Sequence, residues 1–285
     1  MKKLILAAAL IAASTAAASA ADMPLKARPP VVAAPLPSWA GFYVGGNVGG
    51  DWGTSRTSLD VTSSGDFFGF PLCLPPANGC QVNVVDVRNA GAQRLHPSGF
   101  TGGVQAGYNW QAGAVVYGVE ADFNYFRSAA NGIRTVGLVS GLPATVTVGQ
   151  SESTDWLFTL RGRLGWAFSP AWLVYATGGL AVTDLHSGWT FTETRFGNVA
   201  SSFFSNTRAG WTVGAGVETK FAAGWRLGLE YLFVDFDTST STVPVVLPLG
   251  GGPVPQNFTQ TVDLQSHIVR VKLNYSWGGP IVARY

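Results

Sequence analysis

Few residues in this 285-residue chain are of types whose spacing could support chemistry. His96, His186 and His267 are far apart in sequence, so a metal or acid–base role would need the fold to bring them partners. Taken alone they read as loop or rim residues. Asp263, Ser266 and His267 are the nearest approach to the Ser/His/acid group of a hydrolase. Ser266 and His267 are adjacent, however, and on a strand adjacent side chains point to opposite faces. Cys73 and Cys80 lie in a Pro/Gly-rich stretch, where an exported protein would favour a local disulfide bracing a loop. Gly210, Gly214, Gly216 and Gly250 to Gly252 lack the Lys and the strand-to-helix context of a phosphate loop. No catalytic residue, metal site or cofactor is expected.

What does stand out is a set of ten charges that share one parity of strand-like segments: Glu120, Asp122, Arg161, Arg163, Glu218, Lys220, Arg226, Glu230, Arg270 and Lys272. In Val115 to Tyr125 the odd positions are Val, Tyr, Val, Ala, Phe and Tyr, and the even ones carry Gly118, Glu120, Asp122 and Asn124. A helix would mix these two sets, whereas a strand separates them onto two faces. Eight such segments begin near Phe42, Phe100, Val115, Trp156, Trp172, Trp211, Trp225 and Val269, with the fifth, Trp172 to Asp184, ambiguous by parity. Each runs ten residues or so, longer than the common five to six and matched to a tilted crossing of a bilayer.

Composition agrees with that reading. Charged residues make up 12% of the chain and hydrophobic ones 47%, with a mean hydropathy of +0.21. About a quarter charged is usual for a soluble domain. No later stretch is a long uninterrupted apolar run, which excludes a helical membrane protein. Residues 1–20 read as a secretory signal, with Lys2 and Lys3, an apolar stretch and the Ala18-Ser19-Ala20 cleavage site. The formal charge of +2 is carried by those two lysines, and the remaining basic residues are scattered, so no nucleic-acid partner is expected. Residues 21–38 are Pro/Ala-rich and read as an extended periplasmic linker. Residues 39–277 form the barrel and 278–285 a periplasmic tail.

The expected fold is all-β, an eight-stranded antiparallel transmembrane β-barrel. Short turns at 111–114, 169–171 and 222–224 alternate with long connections at about 53–98, 128–153, 187–205 and 238–261, rich in Ser, Thr, Gly, Asn and Pro. That alternation places both termini in the periplasm. Trp52, Trp110, Tyr117, Trp166, Trp172, Trp225, Tyr275 and Trp277 fit aromatic girdles at the two interfaces. A barrel of eight strands is just filled by its side chains, so the ten inward charges are expected to pair into a plug. A narrow, gated path for ions or small solutes is the alternative, with an outer-membrane lipid hydrolase behind it.

Three sets of residues carry a resemblance to a known family. They are the opening Trp39-Ala40-Gly41-Phe42-Tyr43-Val44-Gly45-Gly46, the close from Leu273 to Tyr285, and strand motifs such as Gly118-Val119-Glu120-Ala121-Asp122, Arg161-Gly162-Arg163-Leu164-Gly165 and Tyr175-Ala176-Thr177-Gly178-Gly179-Leu180-Ala181. With these the chain resembles the eight-stranded outer-membrane β-barrel surface antigens of alphaproteobacteria, in the wider opacity-protein-like, porin-family group. The resemblance implies an abundant, non-enzymatic envelope protein in contact with outer-membrane lipids and lipopolysaccharide. It also implies assembly by the barrel-assembly machinery, which would read a terminal aromatic, Trp277 or Tyr285. Some members bind haem, but no residue set for haem carries over, and ligands of the external loops are not specified.

Overall fold

The computed structural model describes residues 38–63, 79–138, 144–194, 197–249 and 252–277. The signal, nearly all of the linker, the Cys73–Cys80 pairing and the tail lie outside the described residues. The elements are β1 (Gly41–Ser63), α1 (Gly79–Gly91), β2 (Gln93–Leu95), β3 (Ser98–Ala112), β4 (Val115–Gly137), β5 (Thr145–Ser153), β6 (Trp156–Trp166), β7 (Trp172–Glu193), β8 (Val199–Ala222), β9 (Trp225–Phe236), β10 (Ser239–Leu249) and β11 (Gly252–Trp277). Every pairing is antiparallel, and β11 returns to β1 in register from Phe42↔Trp277 to Ser63↔Gln256. β5 and β6 are one strand line broken at Thr154 and Asp155, and β9 and β10 one line broken at Asp237 and Thr238. The described residues therefore form a closed ring of eight strand lines, with no sheet edge left in the membrane.

Parity assigns the faces. Val104, Val119, Phe123, Leu160, Leu164, Val213, Leu229 and Val271 are exposed on the outer surface, and a bilayer covers such a band at no desolvation cost. Their strand neighbours Gln105, Glu120, Asp122, Arg161, Arg163, Glu230, Arg270 and Lys272 are buried inside. The tight turns use glycine where the backbone must turn left-handed, at Gly113 (φ 62°) and Gly224 (φ 78°). At the seam between the first and last strands a Cβ on Gly49 would fall on the Val269 carbonyl, so glycine lets β1 close against β11.

The strands are longer than the membrane requires. β4, β8 and β11 contain 23, 24 and 26 residues, against about 9–11 for one crossing. The long connections expected at about 128–153 and 187–205 are thus corrected: much of each is paired strand, such as β5 against β7 from Val146↔Glu193 to Ser153↔His186, and the last one, at about 238–261, extends its strands as the hairpin of β10 and β11. Their Ser and Thr residues suit an exposed ladder, and inward Val146, Val148, Trp189, Phe191 and Phe258 hold the two-residue period and pack together.

The first long connection contains a helix, α1, that no expectation included. Val87 and Ala90 on it are fully buried in the same cluster as Leu59, Trp189 and Phe258, which closes the outer end of the ring. Its last carbonyls are capped from the wall: Gln150 Nε2 donates to Gly91 O at 2.9 Å and Gln93 Nε2 to Ala90 O at 3.0 Å. Below this layer lies a second apolar cluster that includes Phe126, Leu157, Leu185, Leu232, Leu264 and Ile268.

Candidate functional site in the barrel lumen

Beneath the second apolar layer the lumen is ionic. Glu120 and Asp122 project from β4, Arg161 and Arg163 from β6, Glu218 from β8, Glu230 from β9, and Arg270 and Lys272 from β11. The register sets them at one height, since Glu120 lies opposite Arg161 and Arg270 opposite Glu230. Arg161 Nη2 is 2.6 Å from both Glu120 and Asp122, and Arg161 Nη1 is 3.2 Å from Glu230. Arg270 joins Glu230 at 2.7 Å and Asp122 at 3.1 Å. Lys272 joins Glu120 at 2.6 Å and Glu230 at 3.3 Å, and Arg163 reaches Glu218 at 2.7 Å.

Four acids and four bases meet here, so the cluster is formally neutral. Isolated, each buried ion would cost several kcal/mol, and mutual pairing together with hydrogen bonds offsets that cost. Two tyrosines supply further donors: Tyr43 OH donates to Glu120 Oε2 at 2.7 Å and Tyr175 OH to Glu230 Oε1 at 2.8 Å. The Arg163 guanidinium also lies over the Tyr175 ring, 3.9 Å from its centroid. An amide chain adjoins the cluster, with Asn47 Nδ2 donating to Gln105 Oε1 at 2.7 Å and Gln105 Nε2 to Asn274 Oδ1 at 2.6 Å.

Of the ten charges singled out by parity, the fold brings eight together and leaves two apart. Lys220 and Arg226 lie at the short-turn end around the fully buried Trp39 ring, at 4.3 Å and 5.0 Å from its centroid. Lys220 Nζ donates to Ser38 O at 2.9 Å, and Arg226 Nη2 to Trp39 O at 3.3 Å. Trp39 packs with Val116, Leu173 and Tyr175, forming an apolar lid at the short-turn end. Parity could not find this lid, because Trp39 precedes the first strand.

The aromatic residues divide unevenly between the two rims. Trp110, Tyr117, Trp166, Trp172, Trp225, Tyr275 and Trp277 cluster at the short-turn end, with Trp110 stacked on Tyr117 at 5.7 Å and Trp225 edge-on to Tyr275 at 5.2 Å. Trp52 alone of the eight belongs to the opposite rim, stacked on His267 at 5.9 Å. Trp156 and Trp211 share that rim, packed on Phe123 and Phe233 respectively, and the available signal is that each opens one of the alternating sequence segments, although β8 itself begins at Val199.

Ser266 and His267 do point to opposite faces. Ser266 is buried inside, and on the outer surface His267 Nδ1 pairs with Tyr231 OH at 2.7 Å. Asp263 is 3.9 Å from Arg56. No hydrolytic group is assembled from these three residues. His96 is exposed beside the start of β3, and His186 meets two aspartates on the outer face of β7. Among the described residues, four buried carboxylates lie outside the ten expected charges, Asp51, Asp86, Glu152 and Glu193.

Comparison with known proteins places this arrangement in context. The model of the outer membrane protein beta-barrel domain matches residues 5–276. The chain is 31% identical to the 31 kDa outer-membrane immunogenic protein of Brucella melitensis, over 97% of this chain and 100% of that one. It is likewise 31% identical to a 22 kDa outer membrane protein of Rhizobium leguminosarum, over 72% of this chain and 67% of that one. Among solved structures, the outer membrane protein OprG of Pseudomonas aeruginosa aligns over 84% of this chain and 97% of its own, at 13% identity and a TM-score of 0.42. The protein resides in the bacterial outer membrane, and the chain belongs to the outer membrane β-barrel protein family that includes the alphaproteobacterial 31 kDa outer-membrane proteins.

Proposed function

We propose that the protein is a non-enzymatic structural component of the outer membrane that presents its extended strand ends at the cell surface as an antigen. The observation that carries this reading is the neutral cluster of eight buried charges across the lumen. A conducting path would have to cross that cluster, the Trp39 lid and two apolar layers, which argues against the channel alternative. Sequence relatives carry the name outer-membrane immunogenic protein or outer membrane protein, and none of these sequence relatives carries an enzymatic name. That naming supports a surface-antigen role and a chain without catalytic activity.

In this reading the outer band contacts lipid in the membrane and lipopolysaccharide at its outer surface, and the barrel-assembly machinery inserts the chain. Intact-cell labelling tests it. Antibodies to the β4–β5 and β10–β11 hairpins should bind whole cells, and cells lacking the protein should be more sensitive to detergent. Hairpins that label only after lysis, together with unchanged detergent sensitivity, would overturn the proposal.

A further inference from the structure

On the outer face, just above the lipid-facing band, β7 and the break between β5 and β6 bring together a histidine and two aspartates that no function above uses. Ser153 pairs with His186 and Leu157 with Thr183, so Thr154, Asp155 and Trp156 oppose only Asp184 and Leu185. One extra residue on one strand is a β-bulge, a feature that re-aims side chains. Here it frees the Asp155 and Trp156 amides from the ladder, and both donate to Asp184 Oδ1, at 3.1 Å and 3.3 Å. That fixes the Asp184 carboxylate and turns its other oxygen outward. Asp184 Oδ2 lies 3.0 Å from His186 Nε2, and Asp155 Oδ2 lies 3.4 Å from the same nitrogen.

We infer that Asp155, Asp184 and His186 form a binding site for a divalent transition-metal ion of the zinc type. Ligands about 2.1 Å from a tetrahedral ion stand roughly 3.4 Å from one another, and the two separations from His186 Nε2, 3.0 Å and 3.4 Å, are near that, with all three ligand atoms within 4.8 Å of one another. One imidazole nitrogen and two carboxylate oxygens suit a borderline ion better than calcium, which takes six or more oxygens. The two amide bonds to Asp184 supply the outer-shell support that orients a ligand. Asp155 is 59% exposed at its side chain, so the remaining coordination position opens to water.

Zinc titration of the full-length refolded protein in detergent, followed by calorimetry, tests the site. One ion should bind per chain, with release of protons and weaker binding on acidification. His186→Gln and Asp155→Asn should each weaken binding roughly tenfold or more, the scale lost even for outer-shell partners of metal ligands. Heat-modifiable migration checks that both variants remain folded, and Asp155, the more exposed of the two, is the safer substitution. Cys73→Ser/Cys80→Ser should bind zinc as the parent does. Absence of binding by the parent would overturn the inference and leave the group as an ion pair. Unchanged affinity in both site variants, or binding lost only with the cysteines, would place the ion elsewhere and overturn it equally.

Discussion

Lys272 Nζ lies 2.6 Å from Glu120 Oε1 in the middle of the lumen, with neither side chain more than 2% exposed. The pair ties the last strand to the third strand line across the barrel, and Arg161 grips the same carboxylate from the neighbouring strand. Arg163 also reaches it at 3.4 Å, so removing Glu120 leaves three cations short of a partner where water does not reach. Glu120→Gln should therefore lower stability by about 3–5 kcal/mol. Urea unfolding of the refolded barrel, followed by tryptophan fluorescence, measures it. Adding Lys272→Met should cost less than the sum of the two single changes, because the second removes a charge the first left unpaired.

The tyrosines that donate into the cluster lie over glycines on the neighbouring strands. A Cβ on Gly107 would meet the Tyr43 hydroxyl, and one on Gly216 the Tyr175 hydroxyl. Gly107→Val or Gly216→Val should displace the ring from its acid and cost about 1–3 kcal/mol as overpacking. Gly137→Ala, where a Cβ meets nothing within 4 Å, should be close to neutral. The midpoint of the heat-modifiable gel shift compares the three.

Glu152 predicts a pH dependence. Burial inside the barrel extension above the membrane pushes its carboxyl from the ordinary 4.5 up to about 7, and the Ser55 hydroxyl beside it pulls back only in part. The folded state thus holds a proton that the unfolded state releases. This group's contribution is fully present below about pH 4.5, is lost as the pH rises to about 7, and is level above that. The loss is at most ~3 kcal/mol. Glu152→Gln should flatten that part of the stability profile and be more stable than the parent at pH 8. A profile that keeps its slope between those pH values would rule this out.

The sequence made faces legible but not heights. Strict alternation in Val115 to Tyr125 separates lipid-facing Phe123 from luminal Asp122, and so foretells the inward charges. The same parity places Lys220 with Glu218, yet Lys220 is one repeat nearer the rim and meets Trp39, while Glu218 meets Arg163. Helix α1 was illegible for a different reason: its 13 residues include four Val and two Asn, poor helix formers, and tertiary packing against Leu59 and Trp189 overrides that preference. The meeting of Asp155 with Asp184 and His186 depends on a one-residue bulge, which leaves no mark on a two-residue period. Aromatic content announced the girdles, whereas assigning Trp52 to one rim and Trp110 to the other required the register.

The central claim is that paired charges and apolar layers close the lumen. Planar-bilayer recording of the refolded full-length protein tests it most directly. The expected result is an unchanged baseline, from the unmodified protein and from Glu120→Ala/Arg161→Ala/Lys272→Ala alike, because the Trp39 lid and the two apolar layers still close the lumen when the cluster is emptied. Reproducible unitary conductance from the unmodified protein would contradict it.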